Sequence, residues 1–128
     1  MFSGMIRDAK TRKILLESNH TFLFPEHIFT EIHKHRNTLQ NKSGLTTKEF
    51  DALLNILISR IHIVTTADLL TYKKQAIQIM QDIDIDDAPF VACALAHNAT
   101  IWSDDKHLKQ QSVVPVYTTK ELITQATT

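Results

Sequence analysis

The chain has 128 residues, 43% of them hydrophobic, with only two glycines and three prolines. This length and composition are typical of one compact globular domain and exclude a disordered or fibrous chain. Fourteen basic residues balance fourteen acidic ones, so no overall positive charge indicates a nucleic-acid partner, and attraction to phosphate has to come from local patches.

Cys93 is the single cysteine, which excludes an intramolecular disulfide and favours a reducing, cytoplasmic compartment. Its apolar neighbours predict a position in the core. No apolar segment approaches the roughly 18 to 20 residues needed to cross a bilayer, and the N-terminus lacks the apolar run of a signal peptide. We therefore expect a soluble protein with no membrane partner.

The first half of the chain alternates helical periodicity with short apolar runs. Residues 5–17 predict a helix, residues 22–24 a strand, and residues 26–39 a second helix. Thr46 and Glu49 have the spacing of a capping box, in which each side chain binds the other residue's backbone amide, so another helix is predicted after them. Residues 61–64 are predicted as the next strand.

The second half continues the alternation. Helices are predicted over residues 67–80 and 90–96, and strands over residues 100–103 and 114–117. Thr118 and Glu121 have the spacing of a cap for a last short helix. The helix at 90–96 is apolar on all sides, which predicts burial, and Asn98 is expected to stop it in a left-handed conformation. The pattern indicates βα units and therefore an α/β fold with a parallel sheet.

The segment around the buried helix carries six of the fourteen acidic residues, namely Asp82, Asp84, Asp86, Asp87, Asp104 and Asp105. An Asp before a helix is most often only a cap, but a right-handed crossover would bring the second group to the edge of the sheet where α/β proteins bind ligands. Converging carboxylates repel unless a hard cation such as Mg²⁺ or Mn²⁺ lies between them. On the residues alone, a solvated acidic loop and a metal site are equally supported.

The stretch DDAPFVACALAHNATIWSDDKHL resembles the C-terminal half of PIN domains. The shared features are an acidic helix cap, an Ala-rich buried helix and a strand that ends in Ser or Thr, any residue, and Asp. The similarity extends back through FLFPEHIFTEIHKHR and forward to VPVYTTKEL, and so covers nearly the whole chain. The resemblance implies a single PIN-like domain over residues 1–128, with a central parallel sheet between helices on both faces.

Carried over residue by residue, the resemblance implies that Glu31, Asp87 and Asp105 are the catalytic, metal-binding residues, with Ser103 supporting Asp105 through its hydroxyl. Asp86 and Asp104 are adjacent alternates. The family pattern implies a hydrolase that cuts single-stranded RNA with Mg²⁺ or Mn²⁺. The resemblance also implies that such an endoribonuclease can be the toxin of a toxin–antitoxin pair. Its protein partner would then be an antitoxin or a second copy of the chain in a homodimer.

One departure from the family concerns the N-terminus, because PIN domains open with a strand that carries a first Asp, and no such strand precedes the first helix here. Asp8 is predicted to lie within that helix and matches no family position. We expect the first strand to be encoded upstream and, without it, the centre of the sheet to be vacant or filled by foreign backbone. Closure of the neighbouring strands and a strand edge supplied by a second chain are the alternatives. A catalytically inert PIN-like module that binds RNA or a protein partner is therefore the alternative function.

Two other functions receive less support from the sequence. The seven histidines have no cysteine partner and no helical i, i+4 pairing with one another, which argues against zinc. A phosphoacceptor receiver domain fits less well because the Asp pair precedes a late helix instead of following the first strand. Lys106 is a candidate for a contact to flanking phosphates, and so is the basic run of Arg7, Lys10, Arg12 and Lys13. The simpler interpretation of that run is the solvated face of the first helix.

Overall fold

The computed structural model describes residues 8–126, which form two compact units divided between Ile63 and Val64. The helices are α1 (Ala9–Glu17), α2 (Ile28–Ser43), α3 (Thr47–Ser59), α4 (Thr66–Met80), α5 (Ala88–His97) and α6 (Thr119–Ala126). The strands are β1 (Phe22–Pro25), β2 (Ile61–Val64), β3 (Ile101–Trp102) and β4 (Val116–Tyr117). Short 3₁₀ helices span Ile85–Asp87 and Leu108–Gln110. The predicted α/β class is confirmed, and within residues 8–126 no helix has the length and apolar character needed to span a membrane.

Helix α1 begins with a side-chain cap. The Asp8 carboxylate accepts hydrogen bonds from the Lys10 amide and the Thr11 hydroxyl, both at 3.0 Å. Asp8 therefore precedes the helix, and the prediction that it lies within the helix was wrong, because an Asp competes best for free amides at an N-terminus. Residues 5–7 of the predicted helix lie outside the described residues.

Helices α2 and α3 show how local signals set element boundaries in the N-terminal unit. α2 continues past the predicted end to Ser43 and stops at Gly44, whose φ of 71° suits a residue without Cβ. The predicted capping box follows: the Glu49 amide donates to Thr46 Oγ1 at 3.2 Å, and the Thr46 amide donates to Glu49 Oε1 at 3.0 Å. α3 packs against α1 and α2 and buries Phe50 and Leu57 completely.

The strands are short and are hydrogen-bonded in two separate pairs, β1 with β2 and β3 with β4. The pairing of β3 and β4 is parallel, as predicted, with Ile101 opposite Val116. β4 is shorter than predicted because Pro115 has no N–H to donate to a ladder. The expectation of a first strand encoded upstream concerns residues outside the described part and stays a prediction.

The C-terminal unit is organised by the packing of α4 along α5. Four consecutive residues of α5, Val91 to Ala94, are all buried, and at 100° per residue they cover every side of the helix. This confirms the predicted burial. Cys93 lies in the core as expected, and its burial raises the pKa of the thiol to about 11.

Helix α5 ends at Asn98, which adopts φ 50° and ψ 46° and donates its amide to the Ala94 carbonyl. The predicted left-handed stop is confirmed. Asparagine tolerates this conformation better than residues with larger or branched side chains, and glycine tolerates it best.

We predict that Asn98→Ala lowers the free energy of unfolding by about 1 kcal/mol, because a left-handed backbone is strained for alanine. Asn98→Gly is the matched variant and should be neutral or slightly stabilising. Urea denaturation followed by circular dichroism measures both. Equal destabilisation by the two variants would show that the Asn98 side chain, and not its backbone conformation, sets the stability at this position.

Candidate metal centre

The first acidic group lies in the turn between α4 and α5. Asp84 caps the 3₁₀ helix, since its Oδ1 accepts a hydrogen bond from the Asp86 amide at 3.1 Å and its carbonyl accepts one from the Asp87 amide at 3.1 Å. Asp87 then stands immediately before α5, at the predicted cap position, but its side chain makes no capping hydrogen bond. The Asp87 carboxylate is thus available for another role.

The second group follows β3. Ser103 is buried and continues the pairing with β4 by donating its amide to the Tyr117 carbonyl at 3.0 Å. Its Oγ accepts a hydrogen bond from the Asp105 amide at 3.0 Å. Ser103 therefore holds the backbone of Asp105 in place, where the sequence suggested only that its hydroxyl supports this residue.

Asp104 and Asp105 have different partners although they are adjacent. The Asp104 carboxylate accepts two hydrogen bonds at 2.7 Å, from the amide and from the hydroxyl of Thr119. The same hydroxyl accepts a hydrogen bond from Trp102 Nε1 at 3.0 Å. Asp104 thus ties the loop after β3 to the start of α6, and its neighbour Asp105 is directed elsewhere.

Asp105 belongs to a cluster with Asp84 and His107, in which one ligand atom from each residue lies within 4.8 Å of the others. Asp105 Oδ1 accepts a hydrogen bond from the His107 amide at 2.9 Å and lies 3.3 Å from His107 Nδ1. The sequence placed Asp84 in the acidic group that could converge on a metal ion but not among the assigned ligands, and it gave the histidines, His107 included, little support as metal ligands. The sequence signal that could have identified them as ligands is their spacing, since Asp84 lies three residues before Asp87 and His107 lies two residues after Asp105.

Asp87 lies in the electrostatic field of this cluster. Burial, followed by repulsion from Asp84 and then Asp105, raises the pKa of Asp87 from 3.8 to about 6, and His107 opposes the rise. Its Oδ2 is inaccessible to solvent and has no hydrogen-bond partner among residues 8–126. A buried carboxylate oxygen without a donor is costly, and a bound cation would remove that cost.

Glu31, the remaining residue assigned from the sequence, lies in the N-terminal unit in the first turn of α2. Its side chain is 48% exposed, and Oε2 lies 3.4 Å from Nε2 of His35, one helical turn further on. The geometry within this unit therefore gives Glu31 an accessible carboxylate next to an imidazole.

The donors in the C-terminal unit fit a divalent cation. Carboxylate oxygens suit Mg²⁺ and Mn²⁺, and an imidazole nitrogen suits transition ions. Asp84 and Asp105 supply oxygens, His107 supplies a nitrogen, and the buried Asp87 oxygen lacks a partner within the described chain. With no cation, three carboxylates would face one another and repel.

The metal-free protein should be destabilised by Asp87 near neutral pH. Because the folded-state pKa of about 6 exceeds the ordinary 3.8, the fold favours the protonated acid, and this contribution to stability is lost as the pH rises from about 4 to 6. Asp87→Asn should therefore melt at a higher temperature than wild type at pH 7 in EDTA, and the difference should shrink towards pH 4. Calorimetry across this range tests the prediction, with Asp86→Asn, from the exposed face of the same turn, as control.

Comparison with known families gives one result that covers almost the whole chain: a sequence model of the PIN domain matches residues 1–127. No curated protein and no solved structure matches the chain significantly. PIN domains are generally nucleases, hydrolases that use divalent metals and often bind nucleic acids. The acidic segment and the mixed α/β fold agree with this match. The chain therefore belongs to the PIN domain family.

Proposed function

We propose that the protein is a divalent-metal-dependent endoribonuclease that cuts single-stranded RNA. The observation that carries this proposal is the convergence of Asp84, Asp105 and His107 in the field of Asp87, whose buried oxygen has no hydrogen-bond partner among residues 8–126. The PIN domain match supplies the nuclease class. Mg²⁺ and Mn²⁺ are the candidate ions because most of the donor atoms are carboxylate oxygens.

The residues of the centre divide into ligands of the ion and residues that support them. Asp87 and Asp105 would hold the ion with Asp84 beside Asp105, and Glu31 is the further carboxylate that the family pattern assigns to it. When bound, the ion activates water and stabilises the leaving oxygen of the phosphodiester. Ser103 fixes the backbone of Asp105 through the hydrogen bond to its amide, so that this carboxylate needs little reorganisation when an ion binds.

RNA binding in this proposal depends on local charge. The acidic centre repels a phosphate backbone until a cation neutralises it, so ion binding and substrate binding are coupled. Lys106 is exposed and follows Asp105 directly in the chain, which makes it our candidate for a phosphate contact beside the scissile bond. A role as the toxin of a toxin–antitoxin pair, with an antitoxin or a second copy of the chain as partner, is a further part of the proposal.

The second candidate is a catalytically inert PIN domain that binds RNA or a protein. The observation that favours it is the composition of the cluster, where His107 takes a place beside two carboxylates. An imidazole lowers the negative charge that is available to hold Mg²⁺. The two candidates differ in whether RNA is cut or only bound.

Metal binding should stabilise the fold, because a ligand that binds only the native state shifts the folding equilibrium. At an ion concentration of 100 times its Kd, the free energy of unfolding should rise by about 2.7 kcal/mol. Calorimetry with millimolar Mn²⁺ or Mg²⁺ should therefore show a higher melting temperature for wild type, and Asp105→Asn should remove the increase. Asp68→Asn, an exposed Asp of the same unit at the start of α4, should retain it. A melting temperature unchanged by either ion would contradict the metal centre.

Cleavage of a fluorescent single-stranded RNA should require the ion and stop in EDTA. Glu31→Gln, Asp87→Asn and Asp105→Asn should each reduce the rate by on the order of a hundredfold, since removal of a ligand or its support weakens both ion binding and catalysis. Asp68→Asn should cleave at the wild-type rate. Cleavage at the wild-type rate in all three variants would contradict the assigned residues.

Binding of the same RNA, measured by fluorescence anisotropy in Ca²⁺ and in Mn²⁺, separates the two candidates. An active nuclease should cut in Mn²⁺ and bind in Ca²⁺ without cutting. Tight binding in both ions with no cleavage in either would establish the inert module instead. Absence of both binding and cleavage would contradict RNA as the substrate.

A further inference from the structure

His107 introduces a nitrogen donor into a cluster whose other members are carboxylates. Its Nδ1 lies 3.3 Å from Asp105 Oδ1. Two ligand atoms at adjacent corners of an octahedral site, each about 2.1 Å from the ion, are about 3.0 Å apart. In a tetrahedral site, with ligand distances of about 2.0 to 2.1 Å, the separation is about 3.4 Å. The distance between these two atoms is therefore one that a shared ion permits.

We propose that His107 is a ligand of the metal centre and that it shifts the ion preference of this protein from Mg²⁺ towards first-row transition ions, from Mn²⁺ onwards. This inference rests on the proposed function, because it concerns the same centre. Mg²⁺ is a hard ion that favours oxygen ligands and gives up its waters reluctantly. Imidazole is a softer ligand, and affinity for nitrogen sites rises from Mn²⁺ along the transition series.

The local backbone holds the imidazole close to the cluster. The Asp105 side chain accepts the His107 amide at 2.9 Å, which fixes the chain direction between the two residues. The His107 side chain is 57% exposed, so an ion would reach it without displacing core residues. The acidic groups that face this region are Asp84, Asp87 and Asp105.

A different role for His107 is that of a protonated counter-ion to Asp105. That role neutralises one of the three carboxylates and leaves the buried Asp87 oxygen without a partner among the described residues. A divalent ion carries two charges and several coordination positions, and it satisfies more of the same acceptors at once. The electrostatics of the cluster therefore favour the ligand role.

Pulsed electron paramagnetic resonance of the protein loaded with Mn²⁺ tests the ligand directly and without reference to activity. Wild type should show a hyperfine coupling from an imidazole nitrogen. The coupling should disappear in His107→Gln and persist in His97→Gln, which changes an exposed histidine of the same unit at the end of α5. Bound Mn²⁺ without nitrogen coupling in wild type, or coupling that survives in His107→Gln, would overturn the proposal.

Competition between Mn²⁺ and Mg²⁺, followed by the signal of free Mn²⁺, tests the preference. The affinity for Mn²⁺ relative to that for Mg²⁺ should fall about tenfold or more in His107→Gln, because the nitrogen ligand favours the transition ion. His107→Asp replaces the nitrogen by oxygen and should bind Mn²⁺ without nitrogen coupling and with the lower ratio. An unchanged ratio in both variants would contradict the assigned preference.

The two proposals fail in different ways. If wild type binds Mn²⁺ and its melting temperature rises, but no nitrogen couples to the ion, the metal centre stands and only the histidine ligand is lost. If wild type binds no Mn²⁺ in the resonance experiment and shows no thermal shift, both the centre and the ligand are contradicted.

Discussion

The burial of helix α5 is the constraint that brings the acidic residues together. Val91 is fully buried and Ala92, Cys93 and Ala94 are nearly so; burial of a side chain such as valine contributes on the order of 1.5 to 3 kcal/mol, and burial of an alanine methyl contributes less. Because buried residues lie on every side of the helix, a rotation about its axis would not turn a polar face towards solvent. Asp87 at its N-terminus is held where it is, and its burial, followed by repulsion from Asp84 and Asp105, raises the pKa of that carboxyl. Hydrophobic burial thus maintains an electrostatically unfavourable site, as expected where a site serves function and not stability.

Adjacent residues of the loop after β3 illustrate how the fold separates structural from chemical tasks. Asp104 binds the backbone and hydroxyl of Thr119, which also accepts a hydrogen bond from Trp102. This network anchors the start of α6 to the end of β3. Asp105, the next residue, contacts His107 instead. Two identical residues therefore acquire different surroundings from their position in the chain alone.

The sequence predicted the features that depend on local rules. The capping box at Thr46 and the left-handed stop at Asn98 follow from short-range hydrogen bonding and backbone sterics, and both are present. Predictions were less accurate where the answer depends on distant partners. The length of β4 is limited by Pro115, and the place of His107 beside Asp84 depends on how two loops converge, which no periodicity encodes. Asp8 was predicted inside the first helix but is its N-cap, because its side chain binds the free amide of Lys10.

All the donors of the cluster come from residues 84–107, within the C-terminal unit. Closing a loop of this length costs little chain entropy, since the cost grows only as the logarithm of the number of residues. The connecting segment also contains the buried helix and a strand, which restrict the chain before the carboxylates meet. Asp84, Asp105 and His107 thus meet through the folding of one segment, and we expect the amide hydrogens of α5 and of the loop after β3 to exchange as one cooperative unit.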